Sequence, residues 1–355
     1  MKVALLNLPL DNNYGGNLQR YALITALKKM GHDPVHISLR KNFKIPFMKI
    51  PLILIWRAYQ RYIRKMSVDI FYEWKTAGTY NDGLKNIMPF YEEYIPHTAP
   101  IYNKTQLRKL ERYDAYIVGS DQVWRKTYTG KMLECYFFSF LKQESPLLLA
   151  YAVSFGKNEN EYIMKDVKRL KPLYERFKAT SVREQSGLDI LKSIGFTNPS
   201  PVSLLDPTFL LSRVDYMKLF DNRKIVQHSG SLFCYILDKN SIIDEEIKQI
   251  VSEHKLKPFY CNIKDNKMTI EQWLCCFSTS EYVVTDSYHG VVFSIIFNKP
   301  FSLIRNAKRG NARFDTLLDT FGLKDKNEEY DWDKINSIIE SKRDDGIHFF
   351  KNNLV

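Results

Sequence analysis

Apolar positions along this chain follow two rhythms that alternate from one end to the other. KVALLNL (2–8) is a continuous apolar run of strand length. GNLQRYALITALKKMGH (16–32) follows it, with Leu18, Tyr21, Ala22, Leu23, Ala26 and Leu27 near helical spacing and Gly31 as the stop. The alternation continues through the strand PVHISL (34–39), helical stretches up to about residue 112, and the strands DAYIVG (114–119), PLLLAYAVS (146–154), ATSV (179–182) and PVSLLD (201–206). Helical segments such as QSGLDILKSIG (185–195) separate them. A second series starts near SLFCYIL (231–237), passes through KPFYC (257–261) and EYVVT (281–285), and ends at PFSLI (300–304). Strands that alternate with helices predict parallel, doubly wound sheets. The two series meet near DPTFLLSR (206–213), which predicts an α/β protein of two Rossmann-like domains facing each other across a cleft. The expected division is residues 1–207, with a basic insertion near 40–75, and residues 208–355, ending in a helix. A chain of 355 residues is longer than one core usually serves, which agrees with two domains.

Composition adds a globular chain with a substantial core, from 45% apolar and 14% aromatic residues. The five cysteines (Cys135, Cys234, Cys261, Cys275, Cys276) have no CxxC spacing and read as reduced core residues of a cytosolic protein. The N-terminus lacks a signal-peptide layout, and no apolar run approaches the roughly 20 residues of a membrane span. The expected location is therefore the cytoplasm, at most peripheral to the inner face of a membrane.

The net charge of +12 is unevenly spread. Between Asp33 and Asp69 there is no acidic residue but eight basic ones, Arg40, Lys41, Lys44, Lys49, Arg57, Arg61, Arg64 and Lys65, around the apolar stretch IPFMKIPLILIW (45–56). Three readings fit such a segment: a packed helix with a solvated basic face, a mobile cover over a site, or a helix lying on an anionic membrane through 40–65. No nucleic-acid-binding motif accompanies the charge, so nucleic acid is not an expected partner.

Several loops after strands carry more polar chemistry than a turn requires. DNNYGGN (11–17) follows the first strand and opens a helix. Asp11, Tyr14, Asn17 and Gln19 lie in or just beyond it, and Gly15 and Gly16 would let backbone amides approach a ligand, unless the loop is simply a turn. GSDQVW (119–124) places Ser120, Asp121 and Gln122 where a polyhydroxylated ligand could be hydrogen-bonded beside Trp124. SVREQSG (181–187) puts Arg183 and Glu184 at a third strand end. TDSYHG (285–290) sets Asp286, Ser287, His289 and Gly290 directly after a strand that is otherwise all core. In open α/β sheets the crevice beyond the carboxyl ends of the strands binds ligands.

With these loops in order, the sequence resembles the polysaccharide pyruvyl transferases. The resemblance rests on NYGGNLQRYAL (13–23), YDAYIVGSDQVW (113–124), AYAVSFG (150–156), SVREQSG (181–187), LLDPTFLL (204–211), TDSYHGVVFSIIFNKPF (285–301) and RFDTLLDTFGL (313–323). It implies a two-domain fold similar to GT-B glycosyltransferases and transfer of pyruvate from phosphoenolpyruvate to a sugar as a cyclic ketal, for a bacterial surface polysaccharide or its lipid-linked precursor. Phosphoenolpyruvate enters as donor substrate, and no cofactor or metal is expected. By the same resemblance His289 matches the family's functional histidine and Arg183 its arginine. Arg183 is assigned to the donor carboxylate or phosphate, His289 to proton transfer or to the departing phosphate, and Asp286 and Ser287 to orienting His289 or the sugar. Some members carry an arginine where this chain has Ser287. RNAKRGNAR (305–313), leaving the sheet after PFSLI, offers Arg305 and Arg309 as replacements, with Lys308 and Arg313 nearby. Two other functions suit the same architecture: a glycosyltransferase using a nucleotide sugar, and a non-catalytic sugar-binding protein.

Overall fold

The N-terminal apolar run folds as β1 (Lys2–Leu6), and its side chains divide by parity between two cores. Val3 and Leu5 enter one apolar cluster, Ala4 and Leu6 another. A strand buried on both faces has no polar side to show, so its sequence is continuously apolar. Each fully buried leucine or valine of this kind contributes about 1.5–3 kcal/mol relative to exposure.

A computed structural model describes residues 1–141, 146–221, 225, 229–238, 241–261, 268–305, 312–327 and 329–355. Among them, ten strands form two parallel sheets. After β1 come β2 (Asp33–His36), β3 (Ala115–Val118), β4 (Leu147–Val153), β5 (Ala179–Val182) and β6 (Val202–Ser203), in the order β2-β1-β3-β4-β5-β6. The second sheet holds β7 (Ser231–Tyr235), β8 (Lys257–Tyr260), β9 (Tyr282–Thr285) and β10 (Phe301–Leu303), in the order β10-β9-β7-β8. Every predicted strand is present. PVSLLD alone shrinks to two paired residues, because Asp206 and Pro207 turn into a 3-10 turn, Pro207–Leu210.

The two sheets share their inner core. Phe233 and Tyr235 of β7 and Val283 of β9 belong to the same cluster as Val3, Leu5, Ile117 and Tyr151 of the first sheet. The outer faces have clusters of their own. Between the sheets lie the Tyr14–Lys29 and Tyr288–Ile296 helices and the segment after Asp206. The C-terminal helix Trp332–Asn353 crosses back to the first sheet: Phe350 stacks on Tyr151 of β4 at 4.6 Å, and Gly346 lies against the Tyr151 hydroxyl. All five cysteines are buried free thiols.

The basic insertion departs from the packed-helix reading. The turn Phe47–Lys49, the helix Ile50–Ala58 and the π-helical turn Tyr59–Ile63 contain no buried residue, although their sequence is largely apolar. Among the described residues no helix is long and apolar enough to cross a membrane.

Candidate functional site

Strand order places the site. In the first sheet the winding reverses between β1 and β3, and in the second between β7 and β9. Such reversals open a crevice at the carboxyl ends of the strands. Here the two crevices share one cavity of about 940 Å³. It is lined by Asp11 and Asn13 after β1, Asp121 and Gln122 after β3, Leu237 and Asp238 after β7, and Asp286, Ser287, Tyr288 and His289 after β9. Arg40, Lys41 and Asn42, from the start of the basic insertion, and Arg313 complete the wall. The size suits a small-molecule site.

At its base a charged cluster joins the two sheets. Arg183, after β5, donates from Nη1 to Asp206 Oδ2 at 2.6 Å and from Nη2 to Asp121 Oδ1 at 3.3 Å, and its Nε lies 3.8 Å from Glu184 Oε2. Its guanidinium rests on the Tyr288 ring, with Cζ 4.4 Å from the centroid, and Arg313 approaches the same ring at 5.4 Å. Burial alone would lower the Arg183 pKa. Tyr288 and the surrounding carboxylates outweigh it and hold the guanidinium firmly charged. Burial likewise opposes ionisation of Asp121 and Asp206, and Arg183 overcomes it, so both carboxyls sit below their usual range.

His289 stands in the first turn of the Tyr288–Ile296 helix, its Nε2 buried, without a hydrogen-bond partner and 3.8 Å from Asp206 Oδ2. That gap is too long for a hydrogen bond but close enough for electrostatic coupling. Burial depresses the imidazole pKa below its usual range; Asp206 pulls it up and Arg183 pushes it further down. The ring is seated by Gly15 across the cleft, where a Cβ would fall 2.1 Å from His289 Cγ and Nδ1. Only glycine leaves room for it.

Measured against this geometry, the loops divide into lining and scaffolding. Asp11, Asp121, Gln122, Ser287 and His289 line the cavity as expected. Asp286 also borders it, but its carboxylate accepts from the amides of Leu237 at 2.7 Å and Asp238 at 3.0 Å, so it ties the two loops of the second sheet together instead of orienting His289. Arg183 is corrected from ligand clamp to cluster centre: its side chain is 1% exposed and does not line the cavity. Glu184 is scaffolding, its Oε1 accepting from Ser154 Oγ and the amides of Phe155 and Gly156. Ser120 is spent on the Ala152 carbonyl at 2.6 Å. Trp124 is core, stacked on Phe137 at 4.8 Å with its indole N–H on the Tyr136 carbonyl.

In the first loop Tyr14 reaches the Met268 carbonyl and stacks on Trp273, which fastens the sheets together. Gly16 has ordinary space around it, and its amide donates to Asn13 Oδ1 as the helix cap, not to a ligand. Asn17 braces the loop through the carbonyls of Asp11 and Asn13. Gln19 donates to Asp206 Oδ2 at 2.6 Å, so it positions a carboxylate and touches no ligand. Gly290 gives the helix room against Thr285 Oγ1. Arg305 is already held by Asp315 at 2.5 Å and Asp325 at 2.7 Å, outside the cavity. Arg309 lies outside the described residues. Among the described residues of that segment, Arg313, at the start of the Ala312–Phe321 helix, is the cation that lines the cleft.

Asp206, Tyr288 and the Arg40–Lys41 pair were not singled out as site residues by the sequence. Asp206 carried a signal: an acid inside the apolar string LLDPTFLL, where an unpaired charge would be costly.

Among the described residues no group of three or more His, Cys, Asp or Glu side chains is arranged to hold a metal ion. The cavity wall sets an imidazole, His289, and a guanidinium, Arg313, in one cluster.

The family model for polysaccharide pyruvyl transferase matches residues 13–308, which include Asp121, Arg183, Glu184, Asp206, Tyr288 and His289, whereas Arg313 lies beyond the match. No curated protein matches the chain significantly. Among solved structures, UDP-GlcNAc 2-epimerase from Methanocaldococcus jannaschii aligns with a TM-score of 0.51 at 11% identity, over 96% of this chain and 92% of that one. The same organism's enzyme in complex with UDP-GlcNAc and UDP gives 0.50 at 11% identity, over 97% and 93%. An alpha-glucosyltransferase in complex with UDP and DNA aligns at 0.46 and 10% identity, over 99% and 95%. At such identities the likeness concerns the fold alone, a two-domain Rossmann-like arrangement of the GT-B type.

Proposed function

Because the chain belongs to the polysaccharide pyruvyl transferase family, we propose that it transfers the pyruvyl group of phosphoenolpyruvate to two hydroxyls of a sugar, in a bacterial surface polysaccharide or its lipid-linked precursor, and forms a ketal. The observation that carries the reading is His289: a buried imidazole lining the shared cavity, with Nε2 unpartnered and its pKa depressed. It rests neutral at pH 7 and can accept a proton.

The proton balance gives it a task. The first sugar hydroxyl bonds to C2 of the donor and gives its proton to His289, and the imidazolium, exchanging with solvent, gives one proton to the methylene carbon, which becomes a methyl group. The C2–O bond to phosphate then breaks, the electron pair leaves with phosphate, and the second hydroxyl closes the ketal as its proton departs with the phosphate. Asp206, 3.8 Å from Nε2, stabilises the imidazolium formed in the first step.

The donor brings a carboxylate and a phosphate, which need cations and oriented donors. Arg313, Lys41 and Arg40 line the cavity, and the amino ends of the Tyr14–Lys29 and Tyr288–Ile296 helices abut it through Asn13 and Ser287. Helix amino ends favour anions. Arg183 acts from beneath, holding Tyr288, Asp121 and Asp206 in register.

Phosphate release from phosphoenolpyruvate, followed with a panel of free and lipid-linked sugars, tests the reading. Acceptor-dependent phosphate release supports it. Release of nucleoside diphosphate from a nucleotide sugar, with phosphoenolpyruvate inert, replaces it with a glycosyl transfer. Sugar binding without turnover of either donor leaves a binding protein.

A further inference from the structure

We propose that the outward apolar stripe of residues 47–66 seats the protein on an anionic lipid surface. Phe47, Met48, Leu52, Ile55, Trp56, Tyr59, Tyr62, Ile63 and Met66 are all exposed, Phe47 and Met48 at 87%. From Met48 onward their spacing is three or four residues, with neighbours at 55–56 and 62–63. That is the pattern of one helix face. In a packed helix this face would be the buried one, whereas here it is exposed and, among the described residues, buries none of its own. An exposed apolar face of this extent marks a contact surface.

Charge selects the occupant. Lys44, Lys49, Arg61, Arg64 and Lys65 are exposed around the stripe, and residues 34–68 contain no acid to pair them. A second copy meeting this face through a twofold axis would set cations against cations. An anionic bilayer supplies the opposite charge and an apolar layer at once, and Trp56 stacked on Tyr59 at 5.8 Å is the kind of aromatic pair that sits at headgroup depth. Arg57 is not part of the lipid-facing set: it forks onto Glu73, its Nη2 at 2.6 Å from Oε1, and pins the helix to the Tyr72–Leu84 helix. That helix is anchored at the cleft, because Tyr80 donates to the Leu10 carbonyl at 2.6 Å and packs on Phe43. Arg40–Asn42, just before the stripe, line the cavity. The docked face therefore adjoins the mouth of the site, which would meet an acceptor carried by the same membrane.

Vesicle binding tests this whether or not the chain transfers pyruvyl groups. Full-length protein is sedimented with phosphatidylcholine vesicles and with vesicles containing phosphatidylglycerol, at low and physiological salt. We expect binding to the anionic vesicles only, weakened by salt. Arg61→Gln, Arg64→Gln and Lys65→Gln together should lower partitioning roughly 10²-fold, at about fivefold per cation near an anionic surface. Ile55→Ser with Trp56→Ser should abolish it, while the circular dichroism spectrum and phosphate release with a soluble acceptor stay unchanged. Equal binding to both vesicle types, or to neither, overturns the proposal. So does a lipid-free dimer that Trp56→Ser disperses, since that assigns the face to a second copy.

Discussion

Replacing Gly15 with alanine would set a methyl carbon 2.1 Å from Cγ and Nδ1 of His289. Carbon contacts become ordinary only near 3.4 Å, so the imidazole must withdraw by about 1.3 Å. It is the middle of a short side chain that is struck, so rotating a distal atom does not relieve the clash. Misplacing a reacting group by about 1 Å can cost on the order of 10²-fold in rate, and that is the loss expected in kcat. Folding should survive, because alanine is favoured over glycine within a helix by roughly 0.5–1 kcal/mol. Gly16→Ala is the matched control: its Cβ would meet nothing closer than 3.6 Å, so that variant should keep near wild-type turnover. Initial rates of phosphate release and a thermal melt on both variants suffice. Adding Gly15→Ala to His289→Gln should cost little more, since both changes disable one group. Wild-type turnover in Gly15→Ala, or an equal loss in Gly16→Ala, would refute the seating of His289 by Gly15.

Other expectations follow from the same cluster. His289→Gln should stay folded and lose about 10²-fold or more in turnover, the scale of a general acid–base group, as initial rates would show. Asp206→Asn removes a partner of buried Arg183 and should cost about 3 kcal/mol or more in stability, read from the urea midpoint. Arg313→Ala should raise the donor KM about tenfold and leave the acceptor KM unchanged, whereas Arg305→Ala, whose guanidinium is held by Asp315 and Asp325, should change neither. His36 is buried with Arg20 donating to its Nε2 at 3.2 Å, and burial followed by Arg20 holds its pKa well below the usual 6.5. The unfolded chain therefore binds the extra proton as pH falls below 6.5, so stability should drop from there toward about pH 5, and His36→Gln should flatten that slope of Tm against pH.

The strands were legible because burial on both faces writes itself as uninterrupted apolar runs, and because the parallel order needs a helix between each pair. The loops were legible as places but not as roles. A polar residue after a strand can face the cavity, as Asp121 does, or point back into the scaffold, as Ser120 does one position earlier, and strand-end position alone does not separate the two. Gly15 and Gly16 are identical in sequence terms, yet only at Gly15 is a side chain too close to admit a Cβ, and that side chain lies 274 positions away. Trp124 read as lying beside a ligand because it follows polar residues at a strand end; Phe137 and Tyr136, which enclose it, come from a later segment. The charge of the 40–65 segment was visible, whereas the outward direction of its apolar face depends on what the rest of the fold leaves uncovered.

The most direct test of pyruvyl transfer is the structure of the product. Carbon-labelled phosphoenolpyruvate is incubated with the protein and an accepted sugar in deuterated water, and the product is examined by NMR. Pyruvyl transfer gives a quaternary ketal carbon bonded to two sugar oxygens, bearing a methyl group that has acquired one deuterium where the methylene carbon was protonated. Label recovered as free pyruvate, or a sugar enol ether with its methylene intact, would contradict it.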